Sequence, residues 1–270
     1  MNDLSKKALT VVLDVVRNRP APLRQFDQIF MKERDMVRQA RFIARQFRNL
    51  NVVFVGDGDA IALSITHLWR RGCLPRGPKH VTVLDFDGRV INSIRRFAER
   101  NGYEHLIAAE LYNVADPLPH WLLGKADAFY TNPPWGSKNK GRSILAFLDR
   151  GIESVHNSGR AAVVIADDDS RSWTQQVLHR TQVMLLKKGF VMKTMGQQRH
   201  HYYLAEAPDL QSTTLIARRV RPSRRLSASL PLSARSFVDF YGQGKHLSVR
   251  YVSDDGDHRE HSGLGLIGSV

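Results

Sequence analysis

The chain has 270 residues and a formal net charge of +14, from 40 Lys and Arg against 26 Asp and Glu. Hydrophobic content of 42% beside 24% charged residues excludes global disorder, and the length suffices for one full core. A single cysteine, Cys73, excludes an internal disulfide and a multi-cysteine zinc site and fits a reducing compartment.

The stretch up to Pro20 interleaves charged and apolar residues, with no long apolar run and no small-residue cleavage site. Neither a signal peptide nor a membrane span is expected, and the chain reads as cytoplasmic. Residues 1–50 read as a helical segment. Leu4, Leu9, Val12, Leu13 and Val16 follow helical spacing, Pro20 and Pro22 interrupt it, and a second stripe runs through Met36, Val37, Ile43 and Phe47. The second helix carries Arg34, Arg38, Arg41, Arg45 and Arg48. With the net charge, this face makes nucleic acid an expected partner, although a solvated basic face has the same composition.

From Asn51 the pattern changes. Val52–Val55, Val81–Leu84, Ala126–Tyr130 and Ala161–Ile165 read as buried parallel strands, alternating with helices at Ile61–Arg70, Arg89–Arg100, Ser143–His156 and Thr174–Lys188. That order predicts, for residues 51–220, an α/β domain with a Rossmann-like, seven-stranded sheet and helices on both faces. Val191–Met195 and Thr213–Val220 flank His200-His201-Tyr202-Tyr203 and read as an antiparallel hairpin closing the sheet. Residues 221–270 read as an appendage. Arg218–Arg225 holds five arginines, a phosphate clamp or simply a basic tail; Phe237–Tyr241 and Leu247–Val252 are able to pack on the domain, and Ser262–Val270 is expected to be mobile.

The first strand runs into Gly56-Asp57-Gly58-Asp59, with a helix directly behind. Glycines let the backbone approach a ligand there, and open sheets bind ligands at the carboxyl ends of their strands. Two carboxylates beside a helix N-terminus repel a phosphate, so a cationic or zwitterionic ligand fits better. Asp85 ends the second strand about 25 to 30 residues later, where an acid takes a ribose diol in dinucleotide-binding folds. Asp87 is expected to cap the following helix. Asn113, in Glu110–Pro117 after a further strand that is third in chain order, is positioned to accept the amino group of an adenine ring or to form a turn.

The strand Ala126–Tyr130, fourth in chain order, leads into Asn132-Pro133-Pro134-Trp135. Two prolines stiffen the loop and leave carbonyls without competing amide donors. The Asn132 side-chain oxygen and the Pro133 carbonyl then accept both hydrogens of an –NH₂ group and aim its lone pair at an electrophile, while Trp135 offers a face for stacking a base. Ala166-Asp167-Asp168-Asp169 reads as a turn and helix cap, with an amine or metal site as the alternative. His200 and His201 are adjacent on a strand and point to opposite faces, so no metal site is expected there.

Gly56-Asp57-Gly58-Asp59, Asp85 and Asn132-Pro133-Pro134-Trp135, in this order, resemble the motifs of class I S-adenosylmethionine-dependent methyltransferases. The last matches the (Asn/Asp)-Pro-Pro-(Tyr/Phe/Trp) signature of amino methyltransferases acting on nucleic acid. Over Asn51 to about Val155 the chain more closely resembles the branched-chain polyamine synthase (bis-aminopropyl spermidine synthase) family, through Val55–Asp59, Val83–Asp87, Asp116-Pro117-Leu118-Pro119 and Asp149-Arg150-Gly151-Ile152-Glu153. That family uses decarboxylated S-adenosylmethionine to attach aminopropyl groups to spermidine.

The chain departs from it in having Gly58 and Asn132 where the family has acids, and about 50 residues before the first motif. Each lost carboxylate weakens a site for a polycation, and the positive net charge repels spermidine. The expectation is therefore an S-adenosylmethionine-dependent N-methyltransferase with adenine N6 in nucleic acid as acceptor. Asn132, Pro133, Pro134 and Trp135 would be catalytic, and Gly56, Asp57, Gly58, Asp59, Asp85 and Asn113 would bind the cofactor. The alternative is an aminopropyltransferase using the decarboxylated donor, and a third reading is a basic nucleic-acid-binding module with a vestigial cofactor site.

Overall fold

The computed structural model describes residues 3–196, 200–221, 228–241 and 250–253. Two amphipathic helices lead, α1 (Asp3–Asn18) and α2 (Glu33–Gln46), and Glu33 and Asp35 sit in the first turn of α2, where the helix dipole favours negative charge. The strands and helices then alternate: β1 (Asn51–Val55), α3 (Ile61–Arg70), β2 (His80–Asp85), α4 (Gly88–Asn101), β3 (Ile107–Leu111), β4 (Ala126–Thr131), α5 (Arg142–Ser154), β5 (Val155–Ala166) and α6 (Ser172–Lys187). Three strands close the series, β6 (Phe190–Met195), β7 (His200–His201) and β8 (Gln211–Arg219).

The sheet order is β3-β2-β1-β4-β5-β8-β6, with β7 paired to β8. Strands β1 to β5 are parallel, and β8 runs antiparallel to β5, β6 and β7. Among the described residues the sheet has eight strands where seven were expected. His200 and His201, expected to lie between two strands, pair with Ser212 and Gln211 and make a short strand of their own.

Side-chain alternation along each strand divides the interior in two. Val52 and Phe54 join the core beneath α1 to α4, whereas Val53 and Val55 join the core beneath α5 and α6. Helix boundaries follow local chemistry. Asp87 caps α4 by accepting from the Arg89 amide at 3.0 Å, as expected, and Gly102 closes that helix at φ +66°. The Asp167–Asp169 stretch is a turn: Asp168 accepts from the Ser170 amide at 2.9 Å and pairs with Arg171.

The C-terminal residues that are described pack on the domain. Buried Arg150 reaches the Val114 carbonyl (3.0 Å), Glu153 (2.8 Å), Ser229 Oγ (2.8 Å) and the Leu230 carbonyl (2.9 Å), joining α5 to the segment at 229–230. Val252 bridges to Asp87. Arg219, the arginine shared by the expected strand Thr213–Val220 and the arginine cluster, belongs to β8 and is buried, donating to the Val155 carbonyl at 3.1 Å with its guanidinium 4.7 Å from the Phe190 ring. Residues 222–225 and 262–270 lie outside the described residues. Among the described residues no helix is long and apolar enough to cross a membrane.

Packing explains one residue of the Asp149–Glu153 motif. A Cβ on Gly151 would stand 2.3 Å from the Phe129 ring. Gly151→Ala is therefore expected to destabilise the domain by about 1–3 kcal/mol through overpacking. Urea unfolding measures this, and an unchanged midpoint would contradict the packing.

Candidate active site

The strand order reverses between β1 and β4, and a cleft opens there at the carboxyl ends of the strands, as expected of an open α/β sheet. It is lined from β1 by Gly56, Gly58 and Asp59, from β2 by Asp85 and Phe86, from β3 by Asn113, and from β4 by Asn132, Pro133, Pro134 and Trp135. Nine of the ten sequence-predicted site residues thus meet in one place. Asp57 is the exception.

Asp57 serves its own helix. Its carboxylate accepts from the Ile61 and Ala62 amides, each at 2.9 Å, and so satisfies the first turn of α3. Gly56 just before it adopts φ +76°, and a Cβ there would meet the Phe147 ring at 3.0 Å. The turn therefore requires glycine twice over, for conformation and for space.

Asp59 faces the other way and joins three parts of the chain. Its Oδ1 accepts from the Met31 amide at 2.7 Å, and its Oδ2 accepts from Asn132 Nδ2 at 2.6 Å. Arg19 donates to its backbone carbonyl at 3.3 Å while stacking 3.8 Å above the Phe30 ring. Burial holds the Asp59 carboxyl above its ordinary range, against the pull of the Met31 amide and Arg19.

Asp85 is held by the amides of Asp57 and Asp87, each 3.0 Å away, so that its carboxylate is fixed at the end of β2. Burial raises it to about 6. Two backbone donors leave acceptor positions on a carboxylate unused, which is what a ribose diol needs. Asn113 is more heavily engaged: its Oδ1 accepts from the Ala115 amide at 2.9 Å and its Nδ2 donates to the Arg250 carbonyl at 2.6 Å. Its turn-forming role is therefore present alongside its place in the cleft wall.

Several wall residues were not singled out in the sequence. The segment between α1 and α2 supplies Phe26, Asp27, Gln28, Ile29 and Phe30. Asp27 sits in the left-handed region at φ +57°, and burial raises its carboxyl to about 6 against the charge of Arg24. Phe26, Phe86 and Tyr241 form an aromatic group, with Phe86 and Tyr241 stacked at 6.0 Å and Phe26 edge-on to both. Tyr202 packs edge-to-face on Trp135 at 5.3 Å. Trp135 is thus partly committed to the protein, although its Nε1 lacks a hydrogen-bond partner among the described residues. The one local signal for this wall was aromatic and acidic residues beside the proline break, in Phe26-Asp27-Gln28-Ile29-Phe30.

The family model for the branched-chain polyamine synthase A C-terminal domain matches residues 7–240, far beyond the stretch from Asn51 to Val155. The chain is 32% identical over 163 residues to the N(4)-bis(aminopropyl)spermidine synthase of Thermococcus kodakarensis, covering 59% of this chain and 42% of that one. It is also 32% identical over 152 residues to the protein of the same name from Methanocaldococcus jannaschii, covering 55% of this chain and 39% of that one. The chain therefore spans about two fifths of the length of these curated relatives. Among solved structures, a mutein of the Thermus thermophilus branched-chain polyamine synthase, in complex with N4-aminopropylspermidine and 5′-methylthioadenosine, superposes with a TM-score of 0.72. The two are 19% identical, over 88% of this chain and 70% of that chain, a likeness of fold.

These findings overturn the expectation of adenine N6 methylation, because the named relatives are aminopropyl-transfer enzymes. The physical reason for the error is one of place. The positive charge is a property of the whole chain, whereas the cleft walls carry Asp27, Asp59 and Asp85. Nor does Asn132 leave its place in the cleft without a carboxylate, since its Nδ2 donates to the Asp59 carboxylate at 2.6 Å. The chain belongs to the branched-chain polyamine synthase A C-terminal domain family.

Proposed function

We propose that this chain transfers an aminopropyl group from decarboxylated S-adenosylmethionine to an amine nitrogen of a spermidine-like polyamine, releasing 5′-methylthioadenosine. The observation that carries this reading is the sign of charge in the cleft. Asp27, Asp59 and Asp85 all line it, and burial raises all three carboxyls where dominant cationic partners would have lowered them. A site of that kind gains most from a cationic ligand. It also discriminates between donors, since the α-carboxylate of S-adenosylmethionine would face like charge and the decarboxylated donor presents only an ammonium and a sulfonium. The names of the relatives support the same reading.

In the transfer, the amine lone pair forms a C–N bond to the propyl carbon next to sulfur, the C–S bond breaks with its electrons remaining on sulfur, and the amine proton leaves to solvent. Asp85 is assigned to the ribose diol, and Phe86 with Asn113 to the adenine. Asn132 Oδ1 and the Pro133 carbonyl accept from the acceptor N–H groups and hold the lone pair in line, so that alignment supplies much of the rate. Asp27 and Asp59 compensate ammonium groups that the cleft desolvates.

Incubation with spermidine and the decarboxylated donor is expected to release 5′-methylthioadenosine, read by chromatography, with release at least about tenfold slower when S-adenosylmethionine replaces the donor. Donor-independent inertness towards every polyamine, with methyl transfer to another acceptor, would overturn the assignment.

Charge linkage gives an independent test. Asp27 and Asp85 titrate near 6 in the free protein, so near that pH each is partly protonated. A bound cation lowers both, and binding must release protons. Calorimetry in buffers of different ionisation enthalpy is expected to detect net release near pH 6 that fades by about pH 8 and shrinks in Asp27→Asn. Because both folded-state values lie above the ordinary carboxylate range, the stability held by their neutral forms is lost as pH rises through about 6. Ligand should therefore raise the melting temperature more at pH 8 than at pH 5. Buffer-independent heats would contradict a carboxylate-lined cation site.

A further inference from the structure

Arg34, Arg38, Arg41, Arg45 and Arg48 recur at intervals of four and three residues, the repeat that keeps side chains on one line of a helix. The fold turns that line outward. Met36, Ala40, Ile43 and Phe47 enter the core, whereas Arg34, Arg38, Arg45 and Arg48 are exposed and Arg41 is half-buried. Arg34 to Arg45 span about 16 Å of α2, and Arg48 follows in the turn beyond it. The line then continues onto the sheet. Arg160 of β5 donates to the Gln46 carbonyl at 3.0 Å, and its register partner on β8 is Arg218, so both side chains leave the same face. Both are exposed.

Two ordinary roles of surface arginine leave this line unexplained. The first is pairing within the protein. Among the described residues Arg38 alone of the five on α2 and its turn is ion-paired, with Asp35, and Glu33 is taken by the Tyr203 hydroxyl at 2.7 Å. From Met36 to Leu50 the sequence has no acid at all, and like charges three and four residues apart on a helix repel. The second role is to complement the helix dipole, which favours Arg45 in the last turn but opposes Arg34 in the first.

An external polyanion supplies the missing counter-charge. The arginines on α2 recur about every 5 Å of helix axis, close enough to meet successive phosphates of a strand that carries one charge per about 3.4 Å of duplex. The guanidinium fork suits phosphate oxygens. An anionic bilayer fits less well, because a helix that lies on one presents bulky apolar residues to the lipid. Among the described residues, none of the exposed large hydrophobic side chains is on α2.

We propose that the outer face of α2, extended by Arg160 and Arg218, is a nucleic-acid docking surface that grips the phosphodiester backbone without reading bases. None of its seven arginines, Arg34, Arg38, Arg41, Arg45, Arg48, Arg160 and Arg218, lines the cleft. Docking is therefore separate from transfer and stands whichever amine the cleft serves.

Fluorescence anisotropy with a labelled RNA duplex of about 20 base pairs, and with DNA of the same sequence, measures docking between roughly 50 and 200 mM salt. The logarithm of the association constant is expected to fall against that of salt with a slope of about −4 to −6, nearly one unit per phosphate contacted. Replacing Arg34, Arg38, Arg41 and Arg45 together by Gln retains helix propensity. It should weaken binding at least about tenfold and flatten the slope by about three to four. Replacing the exposed Arg96, Arg100, Lys125 and Lys187 by Gln removes the same charge from other faces and should change affinity less than about threefold. Should circular dichroism show the first variant unfolded, the pair Arg38→Gln and Arg45→Gln carries the same test with about half the change in slope. This contrast with either duplex supports the proposal, and the RNA-to-DNA ratio identifies the source of the phosphates. Equal losses in both variants would reduce the attraction to net charge and overturn it. So would no binding at about 50 mM salt, or binding to phosphatidylserine vesicles with none to either duplex.

Discussion

The Asp59 carboxylate holds the cleft together. One oxygen binds the backbone of the segment that enters α2 and the other binds the side chain that follows β4, so a turn after β1 fastens two walls contributed by distant parts of the chain. The neighbouring Asp57 faces the opposite way and caps α3. Two acids separated by one glycine therefore do different work, one for the helix and one for the site. The glycine between them lines the cleft.

Electrostatics in this protein must be read at two ranges. The excess of Lys and Arg sets a long-range field relevant to solubility and encounter, which is screened by salt over about 8 Å at physiological ionic strength. Inside the cleft the nearest charges decide, and there burial, not charge pairing, sets the state of Asp27, Asp59 and Asp85. A strongly basic chain can hold an acidic site without contradiction. The two acids missing relative to the family pattern, at Gly58 and Asn132, leave a site that still has carboxylates on three walls.

The segments outside the alternating strands and helices complete this site and do more than decorate it. Residues 26–30 cross the cleft from the N-terminal side, and Tyr241 reaches it from the C-terminal side, where it stacks on Phe86. Arg150 links α5 to the stretch at 229–230 through side-chain and carbonyl contacts, so the C-terminal residues are tied to the same elements that carry the Asp149–Glu153 motif. Gly151 beside it allows α5 to lie against Phe129 of β4.

Strand and helix order and the loops that line the cleft were legible in the sequence because each depends on local signals, whereas the division of the interior into two cores was not, one core being expected. Apolar runs and helical spacing mark the elements, glycine and proline mark the turns, and the carboxyl-end rule places Gly56, Asp85 and Asn132 in one cleft. The two-residue strand at His200–His201 left no periodic signal, being too short to show one. What tertiary structure alone decided was which polar groups face the cleft. Asp57 and Asp59 are equivalent in sequence and opposite in role, Asp27 and Tyr202 enter the cleft from segments without a ligand-binding motif, and the basic composition does not extend to the cleft walls. Local propensity sets the path of the backbone, whereas burial and partners, supplied by residues far away in the chain, set the direction and charge of each side chain.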